Sequence, residues 1–204
     1  MLPGSAQLDA PVAYELTKAI YRMRDDFEIT GPDGKVAYKL KKHEGQWLDK
    51  QIYMDTKGNK LAVLGREIVF PFFHAKFTYY TYKPNFEGQE STGEDFEGAA
   101  LYPFALLRCC APRIPPKYEY FLYKTSNLEA DLEKVSTINS AFTMGRKNGY
   151  MSDQKGQPIL KFEEAKDEKG QLNGHIDMEM AAGTDPLQNI LIGITIDEET
   201  TKSR

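Results

Sequence analysis

Thr184-Asp185-Pro186-Leu187-Gln188-Asn189-Ile190-Leu191-Ile192-Gly193-Ile194-Thr195-Ile196 is the stretch on which the fold turns. Thr184-Asp185 supplies a helix N-cap, and Pro186 suits the first helical position, where its missing N–H costs nothing. Leu187, Ile190, Leu191 and Ile194 follow helical spacing, Ile192 and Ile196 fill the other side, and Asp197-Glu198-Glu199 returns to water. A helix that is apolar nearly all round must be buried on most sides. The competing reading is a final β-strand, because residues 190–196 are rich in β-branched side chains and contain Gly193. Cap chemistry and spacing agree on the helix.

Upstream of that stretch the chain reads as strands. Turns of the form Asp-Gly or Asp-x-x-Gly recur at Asp33-Gly34, Asp55 to Gly58, Asp153 to Gly156 and Asp167 to Gly170. Asp bonds the backbone N–H groups ahead of it, and Gly supplies the positive φ that closes such a turn. Period-two runs flank the turns: Tyr14, Leu16, Lys18 and Ile20; Val36, Tyr38 and Leu40; Ile52 and Met54; Ile176, Met178 and Met180. Aromatic, β-branched runs at 77–82 and 118–123 add further strands. Ten to twelve strands are expected in all, a mainly β chain. Residues 84–100 read as a long surface loop, and 127–135 as a short helical turn or irregular connection.

A sheet of this many strands hides its edges by closing. A closed antiparallel β-barrel of about twelve strands is too wide for its own side chains to fill. The segment with the length and apolarity to plug it is the C-terminal helix. The predicted layout is an N-terminal tail over 1–11, one barrel domain over 12–199 with a loop insertion near 84–100 and a central helix near 186–196, and a C-terminal tail over 200–204.

Composition sets outer bounds. The chain has 204 residues, 41% of them hydrophobic, which is enough for a substantial core in one ordinary domain. Its formal net charge of −4 argues against a nucleic-acid binder. Two adjacent cysteines, Cys109 and Cys110, build no disulfide framework, so a reducing, cytoplasmic setting is expected. No catalytic constellation is evident, and no cofactor or metal is expected. His43, His74 and His175 stand apart. Gly88 and Gly93 have phosphate-loop spacing, but Glu94 stands where its lysine belongs. The Asp-Gly turns lack the alternating carboxylates of a calcium loop.

In order and spacing these units resemble the LURP-one-related family of the tubby C-terminal-like superfamily. The resemblance rests on Tyr14-x-Leu16-x-Lys18-x-Ile20, Asp33-Gly34-Lys35-x-x-Tyr38-Lys39-Leu40, Ile52-Tyr53-Met54-Asp55-x-x-Gly58-Asn59-x-Leu61, Met151-Ser152-Asp153-x-x-Gly156-x-Pro158-Ile159 and the closing helix. It spans about 12 to 199 and implies a twelve-stranded barrel threaded by a hydrophobic helix. It also implies kinship with tubby domains, which bind phosphoinositide headgroups, and with phospholipid scramblases. The loop at 84–100 and the prolines Pro112, Pro115 and Pro116 depart from the pattern. Fold kinship of this kind does not fix function.

Two groups of residues are candidate sites. Arg22 and Arg24 precede the first hairpin and Lys39, Lys41 and Lys42 follow it, so paired strands would gather cations able to hold an anionic lipid headgroup. The plainer reading, which the acidic net charge favours, is that they solubilise a sheet edge. Arg146-Lys147 is a weaker second cluster. Cys109 and Cys110 could carry acyl chains as a tether, or could be two small hydrophobes in a buried strand, the plainer reading. The expectation is a non-enzymatic binding or scaffolding module, with anionic membrane lipid and an unidentified protein as partners. The alternative is a scramblase-like lipid mover or a carrier of a small apolar ligand.

Overall fold

The Asp-Gly turns fold as their residues dictate. In the second, Asp55 Oδ1 accepts hydrogen bonds from the backbone N–H groups of Lys57 (2.9 Å) and Asn59 (2.8 Å), and Gly58 sits at φ 84°. Asp153 does the same for Lys155 and Gln157, both at 2.8 Å. Each turn joins two antiparallel strands in the computed structural model, which describes residues 7–18, 27–43, 50–69, 74–111, 117–124, 132–143, 146–166 and 172–202. The Asp167 turn, Trp47 and Pro112 to Pro116 lie outside the described residues.

The strands are β1 (Val12–Lys18), β2 (Phe27–Thr30), β3 (Val36–His43), β4 (Lys50–Asp55), β5 (Lys60–Val69), β6 (His74–Thr81), β7 (Gly93–Glu94), β8 (Ala100–Ala111), β9 (Lys117–Tyr123), β10 (Leu132–Thr143), β11 (Arg146–Ser152), β12 (Pro158–Lys166) and β13 (Leu172–Met180). One helix follows, α1 (Pro186–Lys202). Twelve strands form an antiparallel sheet in the order β6-β5-β4-β3-β2-β1-β13-β12-β11-β10-β9-β8. The two-residue β7 pairs with the start of β8. A further ladder joins β6 to β8, with Phe77 opposite Leu107 and Tyr79 opposite Ala105.

Two expectations need correction. Residues 84–100 are not a featureless loop: they contain β7 and a fourth Asp-x-x-Gly turn, Asp95 to Gly98, with Gly98 at φ 88°. Within 127–135, Leu132 already begins β10 opposite Tyr123. Cross-strand pairing there overrides helix-forming residues such as Leu132 and Glu133. The helix also continues past 196 to Lys202.

The C-terminal stretch is helical and buried on every side. Leu187, Ile190, Leu191, Ile192, Ile194 and Ile196 are all 4% exposed or less. Asp185 caps the helix: its Oδ1 accepts from Gln188 N (3.2 Å) and its carbonyl accepts from Asn189 N (3.1 Å). Two contacts within one turn of the helix, on opposite sides of it, fix where it lies. A Cβ at Gly193 would come within 2.8 Å of Met178 Sδ on β13, so glycine lets helix and strand approach closely. Two residues on, Thr195 Oγ1 accepts a hydrogen bond from the Tyr79 hydroxyl on β6 (3.0 Å) and donates to the Leu191 carbonyl (2.8 Å). Between β13 and β6 run the five strands β1 to β5. The core that α1 joins draws on Tyr14, Ile29, Leu40, Tyr53, Leu64, Phe77, Leu107, Tyr120, Met151, Phe162 and Met178, from eleven different strands. Fully burying an aliphatic side chain is worth about 1.5–3 kcal/mol, so these helix residues anchor the fold.

Candidate functional site

Alternation in β4 and β5 sends Tyr53, Ala62 and Leu64 into the core around α1, and Ile52 and Val63 to the opposite face of the sheet. There Ile52, Val63 and Leu101 form a second, smaller apolar cluster with Met54, Tyr80, Tyr82 and Phe96. What covers it is the segment 85–99, which crosses the outside of the sheet as a strap. Its first half is tied down by Asn85 N donating to Gln89 Oε1 (2.7 Å) and Gln89 Nε2 donating to the Pro103 carbonyl (2.8 Å). Its second half is tied by charge.

Asp95 is the centre of that second half. Its side chain is fully buried, and all its bonds come from two directions. Oδ1 accepts from Glu97 N (2.8 Å) and Ala99 N (2.9 Å), which is the turn itself. Oδ2 accepts from Lys60 Nζ (2.7 Å) and the Tyr82 hydroxyl (3.0 Å), which join the turn to β5 and β6. Burial alone would raise the Asp95 pKa, but the Lys60 ammonium, the two backbone N–H groups and Tyr82 outweigh it and hold the carboxyl at about 2. Burial and the Asp95 carboxylate in turn push the Tyr82 hydroxyl up.

Three lysines on three adjacent strands meet this segment. Lys41 of β3 reaches Glu97 Oε1 (2.9 Å) with its ammonium 5.4 Å above the Phe96 ring. Lys50 of β4 donates to the Glu94 carbonyl. Lys60 of β5 bridges Asp95 and Glu97, both at 2.7 Å, and lies 5.6 Å over the Tyr82 ring. Hydrogen bonds from Lys60 and Lys41 lower the Glu97 pKa, and those to Asp95 and Glu97 raise that of Lys60.

The sequence-derived cation cluster is therefore placed in part. Lys39 and Lys41 share the outer face of β3, with Lys39 paired to Glu28 across the β2–β3 ladder at 3.5 Å. Lys42 lies on β3 between Lys41 and His43, but its side chain, like Arg22 and Arg24, is outside what the structure describes. Sequence reasoning missed Lys50, Lys60, Tyr82, Asp95 and Glu97. The signal for them is Glu94-Asp95-x-Glu97-Gly98, one more Asp-x-x-Gly turn inside the supposed loop.

Cys109 is reduced, half-buried on β8 and packed against the main core, opposite Tyr118. The side chain of Cys110 is outside the described residues, as are those of Arg146 and Lys147. Further along the same face of the sheet a groove of about 600 Å³ runs over β1, β13 and β12 beside the Gly31-Pro32 turn. Three carboxylates stand in one row across it, because Glu15 and Glu163 are both register partners of Asp177. Burial, then the two neighbouring carboxylates, raise the Asp177 pKa. His175 closes the row by pairing with Glu15. Among the described residues no group of three His, Cys, Asp or Glu side chains has metal-binding geometry, and no helix is long and apolar enough to cross a membrane.

No family model matches the chain, and no curated protein does. Among solved structures it is similar to an X-ray structure of a LURP-one-related protein from Arabidopsis thaliana, at a TM-score of 0.56 and 13% identity. The match covers 95% of this chain and 94% of that one. At this identity the likeness is one of fold.

Proposed function

We propose that the chain is a closed, tubby-like barrel of the LURP-one-related kind, and that it works as a non-enzymatic binding or scaffolding module through its outer surface. The β6–β8 ladder supports closure, since it joins the two ends of the twelve-strand order. Contacts of α1 to β6 and β13 support it independently, because those strands lie on opposite sides of such a ring.

The observation that carries the functional reading is the filled interior. Ile190, Ile192, Ile194, Thr195 and Ile196 are 0% exposed and occupy the space that a carried ligand would need. A partner must then be met outside, which weighs against the apolar-ligand carrier. Outside, Lys39 and Lys41, two of the cations that the headgroup reading of the sequence gathers, share one face of β3.

Vesicle flotation tests the reading. The native protein is expected to float with vesicles containing a phosphoinositide and not with vesicles of phosphatidylcholine alone, and the binding is expected to weaken as salt is raised. Lys41→Glu is expected to reduce it. Equal flotation with charged and neutral vesicles would overturn the lipid reading.

A further inference from the structure

We propose that Lys41, Lys50 and Lys60 form an anion-binding site on the outer face of β3, β4 and β5, and that the chain occupies this site itself with the Glu94–Glu97 strap. The inference rests on the lipid reading above and names its site and its control. The ligand class is a multiply phosphorylated headgroup at a membrane surface.

Three ammonium groups from three neighbouring strands all bond one segment, and that segment presents oxygens at each: the Glu94 carbonyl, the Asp95 carboxylate and the Glu97 carboxylate. These oxygens stand where phosphate oxygens would stand. Beneath them lies an apolar floor of Ile52, Val63, Leu101 and Met54, with Phe96 of the strap laid upon it. Lifting 94–98 would free the lysines and uncover that floor together, leaving a surface that is cationic and greasy at once. A membrane interface takes such a surface, because the lysines meet headgroup charge while apolar groups enter the acyl boundary. A small soluble anion would satisfy the lysines and leave the floor exposed. The strap is thus an internal competitor, displaced only by a partner that replaces both its charge and its apolar cover.

Neutralising the strap without unmaking its turn isolates the effect. In Asp95→Asn the amide oxygen can still accept from Glu97 N and Ala99 N, and Glu97→Gln keeps its shape, so the double variant keeps the turn while weakening the hold on Lys41 and Lys60 and the Tyr82 hydrogen bond to Oδ2. Phosphoinositide vesicles are expected to bind this variant roughly thirtyfold more tightly than the native protein, since each of the two lysines freed near an anionic surface adds about 1 kcal/mol. Acetylation by a soluble lysine reagent is expected to rise at Lys41 and Lys60. Glu163→Gln with Glu179→Gln, which changes net charge equally but on β12 and β13, three or more strands away, is expected to bind as the native protein does. The gain is expected to vanish when Lys41→Gln is added, and inositol polyphosphate free in solution is expected to compete poorly.

Measurable binding that is equal in the native and strap-neutralised proteins would overturn the internal competitor while leaving the lipid reading standing. A gain in the β12–β13 control as large as that in the strap variant would overturn it in the same way. Strong competition by the free polyphosphate would overturn the membrane surface as the ligand. No binding by any variant, with lysine reactivity raised as expected, would overturn the lipid reading itself and this site with it.

Discussion

Ile194→Asp is expected to abolish cooperative folding. Ile194 is 0% exposed on a helix whose neighbours on every side are core residues. An unpaired carboxylate there would lose its hydration with no cation to replace it, a cost in the range above about 5 kcal/mol that marks exceptional substitutions. Domains of ordinary stability have only about 5–15 kcal/mol in total. The variant is expected to be insoluble or to lack a thermal transition at neutral pH. Ile194→Val removes one methylene and is expected to cost only about 0.5–1.5 kcal/mol with the fold kept. A helix lying on the outside of the sheet would tolerate the aspartate at a water-facing position, so a folded Ile194→Asp protein with a near-native melting temperature would contradict the buried helix.

Gly149→Ala is the second large effect, and its cause is steric rather than electrostatic. Gly149 of β11 is the register partner of Phe162 on β12. The phenyl ring lies across the glycine so closely that an added Cβ would sit 2.3 Å from Cζ and 2.8 Å from Cε1. Carbon atoms rest comfortably at about 3.5–4.0 Å. Phe162 is only 3% exposed, so its ring has nowhere to withdraw without displacing the core around α1. Overpacking of this kind costs about 1–3 kcal/mol, and for a chain of this size each kcal/mol lowers the melting temperature by about 2–4 °C. Phe162→Leu in the Gly149→Ala background is expected to recover part of the loss, the signature of two residues in direct contact. Calorimetry on the four proteins checks this. A loss in Gly149→Ala below about 1 °C, or no coupling between the two sites, would show that the ring does not lie there.

Much of the fold is legible in the sequence because it is written in short-range rules. Asp55-x-x-Gly58 and Asp153-x-x-Gly156 specify turns within a few residues of themselves, and His175 to Met180 alternates as β13 does, with Ile176, Met178 and Met180 buried. The Asp185-Pro186 cap and the spacing of Leu187 to Ile194 decide helix over strand, although Ile190 to Ile196 is β-branched enough to read either way. Burial on all sides removes the preference that β-branching expresses on a half-exposed surface.

The outer site is less legible, for a physical reason. Lys41 and Glu97 are 56 residues apart in the chain, and Lys60 and Asp95 are 35 apart. Nothing local in either member of such a pair reveals the other. Composition makes 84–100 look like an insertion because Phe96 stands there among turn formers and acids. That ring, set over Ile52, Val63 and Leu101, adds an apolar anchor to the hydrogen bonds and ion pairs that tie the strap to the sheet. In the sequence Lys41 reads as a free cation, whereas in the fold it already holds a carboxylate.

The proposal that the sheet encircles α1 is tested most directly by native-state amide hydrogen exchange of the intact protein. If α1 is surrounded by the sheet, it cannot open without the strands that enclose it. The amides of 190–196 are then expected to exchange only through global unfolding, with the same free energy and denaturant dependence as Tyr79 on β6 and Met178 on β13. Exchange of 190–196 through local opening, at a free energy well below that of those two strands, would contradict it.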